Sequence, residues 1–144
     1  MLPGGLRWSH CDRANWNLTQ RDRARTAIEA FSGGRMLIGI FGAPYPCPPA
    51  PFELAMLLVE RFHARGIDGA IEVFSPRPLS LPILSQAGCG SFESHLEEAG
   101  IAFLRDHAAT AVEDGAVAFG DAKRPFNLLL GVPHRFRRWS RNPA

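Results

Sequence analysis

Cys47 stands in the run Tyr45-Pro46-Cys47-Pro48-Pro49-Ala50-Pro51, after an apolar segment that ends near Phe41 and before a helical pattern that starts at Pro51. A thiol a few residues ahead of a helix meets the positive end of the helix dipole, which favours the thiolate, the nucleophilic form. The flanking prolines restrict the backbone and hold this sulfur in a stiff loop. Such a thiol suits nucleophilic attack, persulfide formation or disulfide exchange. The competing reading is a small buried residue, because unpaired cysteine is among the most buried types. The other two cysteines, Cys11 and Cys89, give no Cys-x-x-Cys and no paired framework. Cys89 reads as a structural or incidental residue in a loop before a short helix, and Cys11 falls in a lead-in without periodicity.

The same stretch is where a dinucleotide-binding fold would place G-x-G-x-x-G, whose glycines let the backbone approach a pyrophosphate. Here only Gly42 remains, followed by Ala43-Pro44-Tyr45-Pro46-Cys47. Pro44, Pro46, Pro48 and Pro49 have no amide hydrogen to offer a phosphate. The second strand ends in Phe74-Ser75, with no carboxylate there for a ribose diol. Arg77 could face a 2′-phosphate, although a solvated loop arginine is the simpler reading. NAD or NADP is therefore not expected to bind tightly.

These residues need a framework, and the pattern of the chain supplies one. Thr19 with Asp22 marks a helix start, Ala24, Ala27, Ile28 and Phe31 give it one apolar face, and Gly33-Gly34 stops it. Arg35–Phe41 reads as a central strand, apolar on both faces. From Pro51 the positions Phe52, Leu54, Ala55, Leu58, Val59 and Phe62 describe a helix that is apolar around most of its surface and ends near Gly66. Residues 69–75 form a second strand, which makes a βαβ unit. A loop with Pro76, Pro78 and Pro82 leads to a short helix in which Ser91 is the expected cap, Ser94 lies in the first turn and Gly100 is the stop. Residues 101–106 form a third strand. Two alternating strands about Asp114-Gly115 make a hairpin, and residues 126–133 are the last strand. The expected class is α/β: a Rossmann-like three-layer domain with a central parallel sheet and a small antiparallel β-meander. It is expected over residues 19–133, with a peripheral lead-in at 1–18 and an irregular basic tail at 134–144.

Composition excludes several other functions. The 144 residues, 46% hydrophobic and 21% charged, suit one globular domain. A net charge of +2 without a basic stripe interleaved with aromatics does not point to nucleic acid. No apolar run approaches a membrane span and no hydrophobic signal core opens the chain, so export is not expected. The expected place is the cytoplasm, with a peripheral position at a membrane as a variant. Five scattered histidines, none at helical ligand spacing beside a carboxylate, give no metal site.

The stretch from Pro44 to Leu58, PYPCPPAPFELAMLL, resembles the strand–loop–helix of the sulfide:quinone oxidoreductase and flavocytochrome c sulfide dehydrogenase family. These are FAD-dependent flavoproteins of the pyridine nucleotide-disulfide oxidoreductase type. Their second domain carries Cys-Pro-x-x-Pro-(Tyr/Phe)-Glu at this place, matched by Cys47, Pro48, Pro51, Phe52 and Glu53. Phe31–Phe41 and Phe126–Arg135 are similar to the family's flanks, so the likeness runs from about Thr19 to Arg135. The family typically reads Val-Pro-Pro-His-Arg where this chain has Val132-Pro133-His134-Arg135.

The resemblance implies that Cys47 is a redox thiol that accepts sulfane sulfur. In the family, electrons then pass to FAD and on to a quinone or a cytochrome, the donor being sulfide or another small reductant. It implies a second domain without the glycine-rich FAD fingerprint, incomplete and inactive by itself. Two further readings stand beside it: an interaction domain that docks to a separate flavin-binding subunit, and a small sulfurtransferase that uses Cys47 alone.

Overall fold

The computed structural model of the chain describes residues 18–42, 45 and 47–132. The expected basic tail and all but the last residue of the lead-in lie outside these residues, as do Cys11, Pro44, Pro46, Pro133, His134 and Arg135. Leu18, expected to close the lead-in, is the first residue of helix α1 (Leu18–Ala30). Ala24, Ala27 and Ile28 form its partly buried face, and Phe31 just beyond is buried.

Strand β1 (Gly34–Ile40) leads into helix α2 (Ala50–Arg65), and strand β2 (Gly69–Phe74) follows. Helix α3 (Gln86–Glu98) then precedes strand β3 (Ile101–Leu104). Three short strands, β4 (Ala111–Glu113), β5 (Ala116–Phe119) and β6 (Ala122–Pro125), come before β7 (Leu128–Val132). The parallel sheet has the order β3-β2-β1-β7, and β4-β5-β6 form a separate antiparallel sheet. This is the α/β Rossmann-like architecture with a central parallel sheet and a small meander.

Alternation along the strands sorts the two faces. Met36, Ile38, Ile40, Ile71, Val73, Ile101, Leu128 and Leu130 point to one side, where they meet Phe31, Phe52, Leu58, Phe62, Cys89 and Leu96 from the helical layer. Leu37, Phe74 and Leu129 point to the other, against Val117, Phe119 and Phe126 of the meander and the segment after it. The layers are therefore helices, parallel sheet, antiparallel sheet. The three-stranded sheet covers the face that a crossover helix covers in a doubly wound fold.

Three expectations are corrected. Helix α2 buries one stripe, Pro51, Phe52, Ala55, Leu58 and Phe62, while Leu57 is 64% exposed and Met56 38%. Apolar type at those two positions reflects an outer surface, not a surrounded helix. Helix α3 starts at Gln86, not at Ser91: Ser85 is the cap and its Oγ accepts from the Gly88 amide at 3.1 Å. Ser91 is a mid-helix residue, and Cys89 lies in the first turn, not in a loop. The meander has a third strand, β6, whose sequence Ala-Lys-Arg-Pro carries no apolar alternation. Strand β2 also carries a charge on its meander face. Glu72, 5% exposed and directly opposite Leu37 in the register, takes two hydrogen bonds of 2.7 Å from the Arg124 guanidinium of β6. Arg35 Nε lies 3.2 Å from the same carboxylate. A carboxylate buried this deeply requires such partners, and the bidentate pair ties the outer strand of the meander to the middle of the parallel sheet.

Candidate functional site

In an open parallel sheet, ligands gather at the carboxyl ends of the strands where the strand order reverses. That point here lies between β1 and β7: the chain leaves β1 towards β2 and β3 and returns on the other side as β7. Residues 41–49, which join β1 to α2, leave the sheet at this place. Cys47 belongs to this loop and is exposed.

The start of α2 explains the prolines. An α-helix leaves its first four amides without intrahelical partners, and these donors make the anion site that nucleotide folds exploit. In this helix two of the four are missing, because Pro49 is the cap and Pro51 lies in the first turn. The Ala50 amide donates to the Cys47 carbonyl at 3.2 Å, and the Phe52 amide to the Pro49 carbonyl at 3.0 Å. The next amide, of Glu53, also donates to the Pro49 carbonyl at 3.0 Å. Each donor at the start of α2 is thus absent or engaged. The start of α2 does not offer the amide cradle that a dinucleotide phosphate needs. What the turn does provide is a fixed and accessible position for Cys47.

Two neighbours belong to the same corner. Tyr45 is partly buried against the helical-layer core, and its hydroxyl donates to the Pro48 carbonyl at 3.5 Å, a long contact across the loop. Burial pushes the Tyr45 phenol above its ordinary range, Arg77 pulls it down, and the charge of Cys47 pushes it up. Arg77 enters from the loop after β2. Its amide donates to the Oγ of the buried Ser75 at 3.1 Å, and its carbonyl accepts from the Asp106 amide at 3.1 Å. The backbone of Arg77 is fixed on both sides, and the residue is exposed. Asp106 holds a left-handed φ of 55°, as the return from β3 requires.

Gly39 shapes the carboxyl edge of the sheet on its meander face. A Cβ there would lie 2.4 Å from the Phe74 ring and 2.6 Å from the Phe41 ring. With glycine, Phe41 meets Phe74 edge to face at 5.1 Å, Phe74 meets Phe119 at 5.0 Å, and Phe119 meets His107 at 5.0 Å. This aromatic run along the carboxyl edge links the first residue of the Cys47 loop to the loop after β3. His107 is held there by its amide, which donates to the Ser75 carbonyl at 2.8 Å.

The other sequence-derived positions are dispersed. Cys89 is buried, and its thiol donates to the Leu81 carbonyl at 3.1 Å, the arrangement of a structural cysteine. Glu53 lies exposed in the first turn of α2. Sequence reasoning missed the Glu93 carboxylate, which accepts from the Ser80 amide at 3.2 Å and pairs with Arg105. These partners come from separate loops, so no local pattern marks them. Among the described residues there is no group of three or more His, Cys, Asp or Glu side chains arranged for a metal. None of the described helices is long and apolar enough to cross a membrane.

No family model matches the chain, and no curated protein does. Solved structures do match. The sulfide:quinone oxidoreductase of the hyperthermophilic bacterium Aquifex aeolicus superposes on 81% of this chain with a TM-score of 0.65 at 20% identity. Reduced CoADR-RHD of Bacillus anthracis covers 92% with a TM-score of 0.59 at 13% identity. The HOCl-induced flavoprotein disulfide reductase RclA of Escherichia coli, as its Cu(II) complex, covers 69% with a TM-score of 0.53 at 14% identity. This chain spans 29%, 22% and 21% of those three chains respectively. At such identities the likeness is one of fold, shared with one part of larger oxidoreductases.

Proposed function

We propose that residues 19–133 are the second, Rossmann-like domain of a flavin-dependent oxidoreductase of the sulfide-oxidising type, and that Cys47 is its sulfur-accepting thiol. One observation carries this reading: an exposed cysteine occupies the switch point of a parallel sheet whose phosphate-binding amides have been removed or engaged. A thiol in that place meets small substrates, whereas a nucleotide phosphate finds no free amide at the start of α2. The fold shared with a sulfide:quinone oxidoreductase and a flavoprotein disulfide reductase supports it, as does the Cys-Pro-x-x-Pro-Phe-Glu run. The flavin is assigned to no described residue of this chain. Sulfide as donor and a quinone or cytochrome as acceptor are properties proposed for the whole enzyme. By itself the chain is expected to be colourless and without activity towards quinone.

The sulfur-accepting step is tested on the chain alone with a hydropolysulfide anion as donor. The Cys47 thiolate attacks a sulfane sulfur. A new S–S bond forms on Cys47, one S–S bond of the polysulfide breaks, and the shortened polysulfide leaves with the electron pair. Peptide mapping by mass spectrometry is expected to find the added sulfur on Cys47, and Cys47→Ser is expected to abolish that adduct. A folded chain that leaves Cys47 unmodified while other thiols take up sulfur would overturn the proposal.

A further inference from the structure

Among the described residues the meander is held to the parallel sheet by side chains. Its strands β4, β5 and β6 pair with one another and form a sheet of their own. Its two ends bond inward as well: the Thr110 amide donates to the Ala118 carbonyl and the Phe126 amide to the Gly115 carbonyl, each at 2.8 Å. Two tethers mark where the chain leaves the sheet and rejoins it. Ahead of β4 the His107 amide donates to the Ser75 carbonyl at 2.8 Å, and after β6 the Asn127 side-chain oxygen accepts from the Arg35 amide at 2.8 Å. Between these tethers little apolar surface is fastened. Among the described residues the core on the helical side has sixteen buried members, whereas the core on the meander side has three, Leu37, Phe74 and Val117. Regions that bury so little open at a fraction of the free energy of global unfolding.

The charged contact across this interface is the Glu72 carboxylate of β2, with Arg124 of β6 and Arg35 of β1 as its ionic partners. Opening returns the carboxylate and both guanidinium groups to water and recovers much of what their desolvation costs. Such a contact fixes the closed register without forbidding the open state. We propose that residues 111–125 form a strap that opens from the parallel sheet as one unit while the helical side stays folded, with Glu72 as its latch. The opening bares Leu37, Phe74 and Leu129 on one face of the sheet and leaves the packing of Phe52, Phe62 and Leu96 on the other face untouched.

The test places one thiol in each core of the full chain. Val117→Cys puts a probe in the closed interface, because Val117 is fully buried there, and the buried native Cys89 reports the helical side. Both are labelled with iodoacetamide at a reagent concentration low enough that closing outruns reaction, and adducts are counted by peptide mapping. An unchanged circular dichroism spectrum is the control for folding. After each rate is normalised to its value in denaturant, position 117 is expected to label at least about tenfold faster than Cys89. Glu72→Gln in the same background removes charge-assisted hydrogen bonds and is expected to raise labelling at position 117 by roughly ten- to a hundredfold. Ile101→Val trims the helical-side core by one methylene; it is expected to raise labelling of Cys89 by roughly two- to tenfold and to leave position 117 unchanged. Equal protection of position 117 and Cys89 would overturn the proposal, and that comparison requires no change at Glu72. A rise at position 117 equal to that at Cys89 in Ile101→Val would also overturn it, as would an unchanged rate at position 117 in Glu72→Gln.

Discussion

Two helices of this fold begin just after a parallel strand and its loop, and each carries a cysteine at its start. At α3 the chain uses a side-chain cap: Ser85 accepts from the Gly88 amide, and Cys89 turns inward to donate to the Leu81 carbonyl. At α2 there is no side-chain cap; prolines delete two donors, backbone turns engage the rest, and Cys47 stays exposed. The α3 start is a solution for stability, in which the cap hydroxyl and the cysteine thiol both have partners inside the protein. The α2 start uses only the backbone carbonyl of its cysteine and leaves the side chain exposed. Residue type does not separate the two cysteines. The way the neighbouring amides are satisfied does.

Substitutions at the two helix starts can break this contrast. The largest effect is expected at Phe52, which is fully buried in the first turn of α2 and meets Phe92 of α3 edge to face at 5.3 Å. Phe52→Ala is expected to cost about 3–5 kcal/mol in denaturant unfolding; a loss below about 1 kcal/mol would mean that the α2 start is not anchored as described. Cys89→Ala removes a buried sulfur and leaves the Leu81 carbonyl without that donor, for an expected loss of about 1–2 kcal/mol. Ser85→Ala deletes the cap and is expected to cost about 1 kcal/mol, read as a lower melting temperature. Cys47→Ala touches no buried partner and is expected to fall within about 0.5 kcal/mol of the parent. A Cys47→Ala penalty as large as that of Cys89→Ala would erase the distinction between the two sites.

The parts visible in the sequence are those governed by local rules. The run Met36–Ile40, the Gly66 stop with its left-handed φ of 64°, and the Asp114-Gly115 turn each follow from residues in immediate succession. The place of Cys47 ahead of α2 was visible for the same reason, and the proline-rich turn announced that phosphate donors would be missing. Its engaged amides were not visible, because they depend on how the Cys47 and Pro49 carbonyls fold back. The start of α3 was obscured by Gly88 and Gly90, poor helix formers whose cost is offset by the Ser85 cap and the burial of Cys89 and Leu96. Strand β6 is polar because it lies outermost, and its Arg124 has its partner 52 positions away in Glu72. Arg77 looked like an ordinary loop residue, since what fixes it, Ser75 and Asp106, comes from two different strand ends.

The central claim is that Cys47 is presented to solvent while Cys89 is sealed, and differential thiol labelling tests it most directly. Each cysteine is labelled with iodoacetamide in the folded chain and again in denaturant, and the two rates are compared residue by residue. Cys47 is expected to react in the folded chain at a rate close to that of the unfolded chain, while Cys89 reacts only through unfolding and is slowed by orders of magnitude. Protection of Cys47 to the same degree as Cys89 would contradict the account.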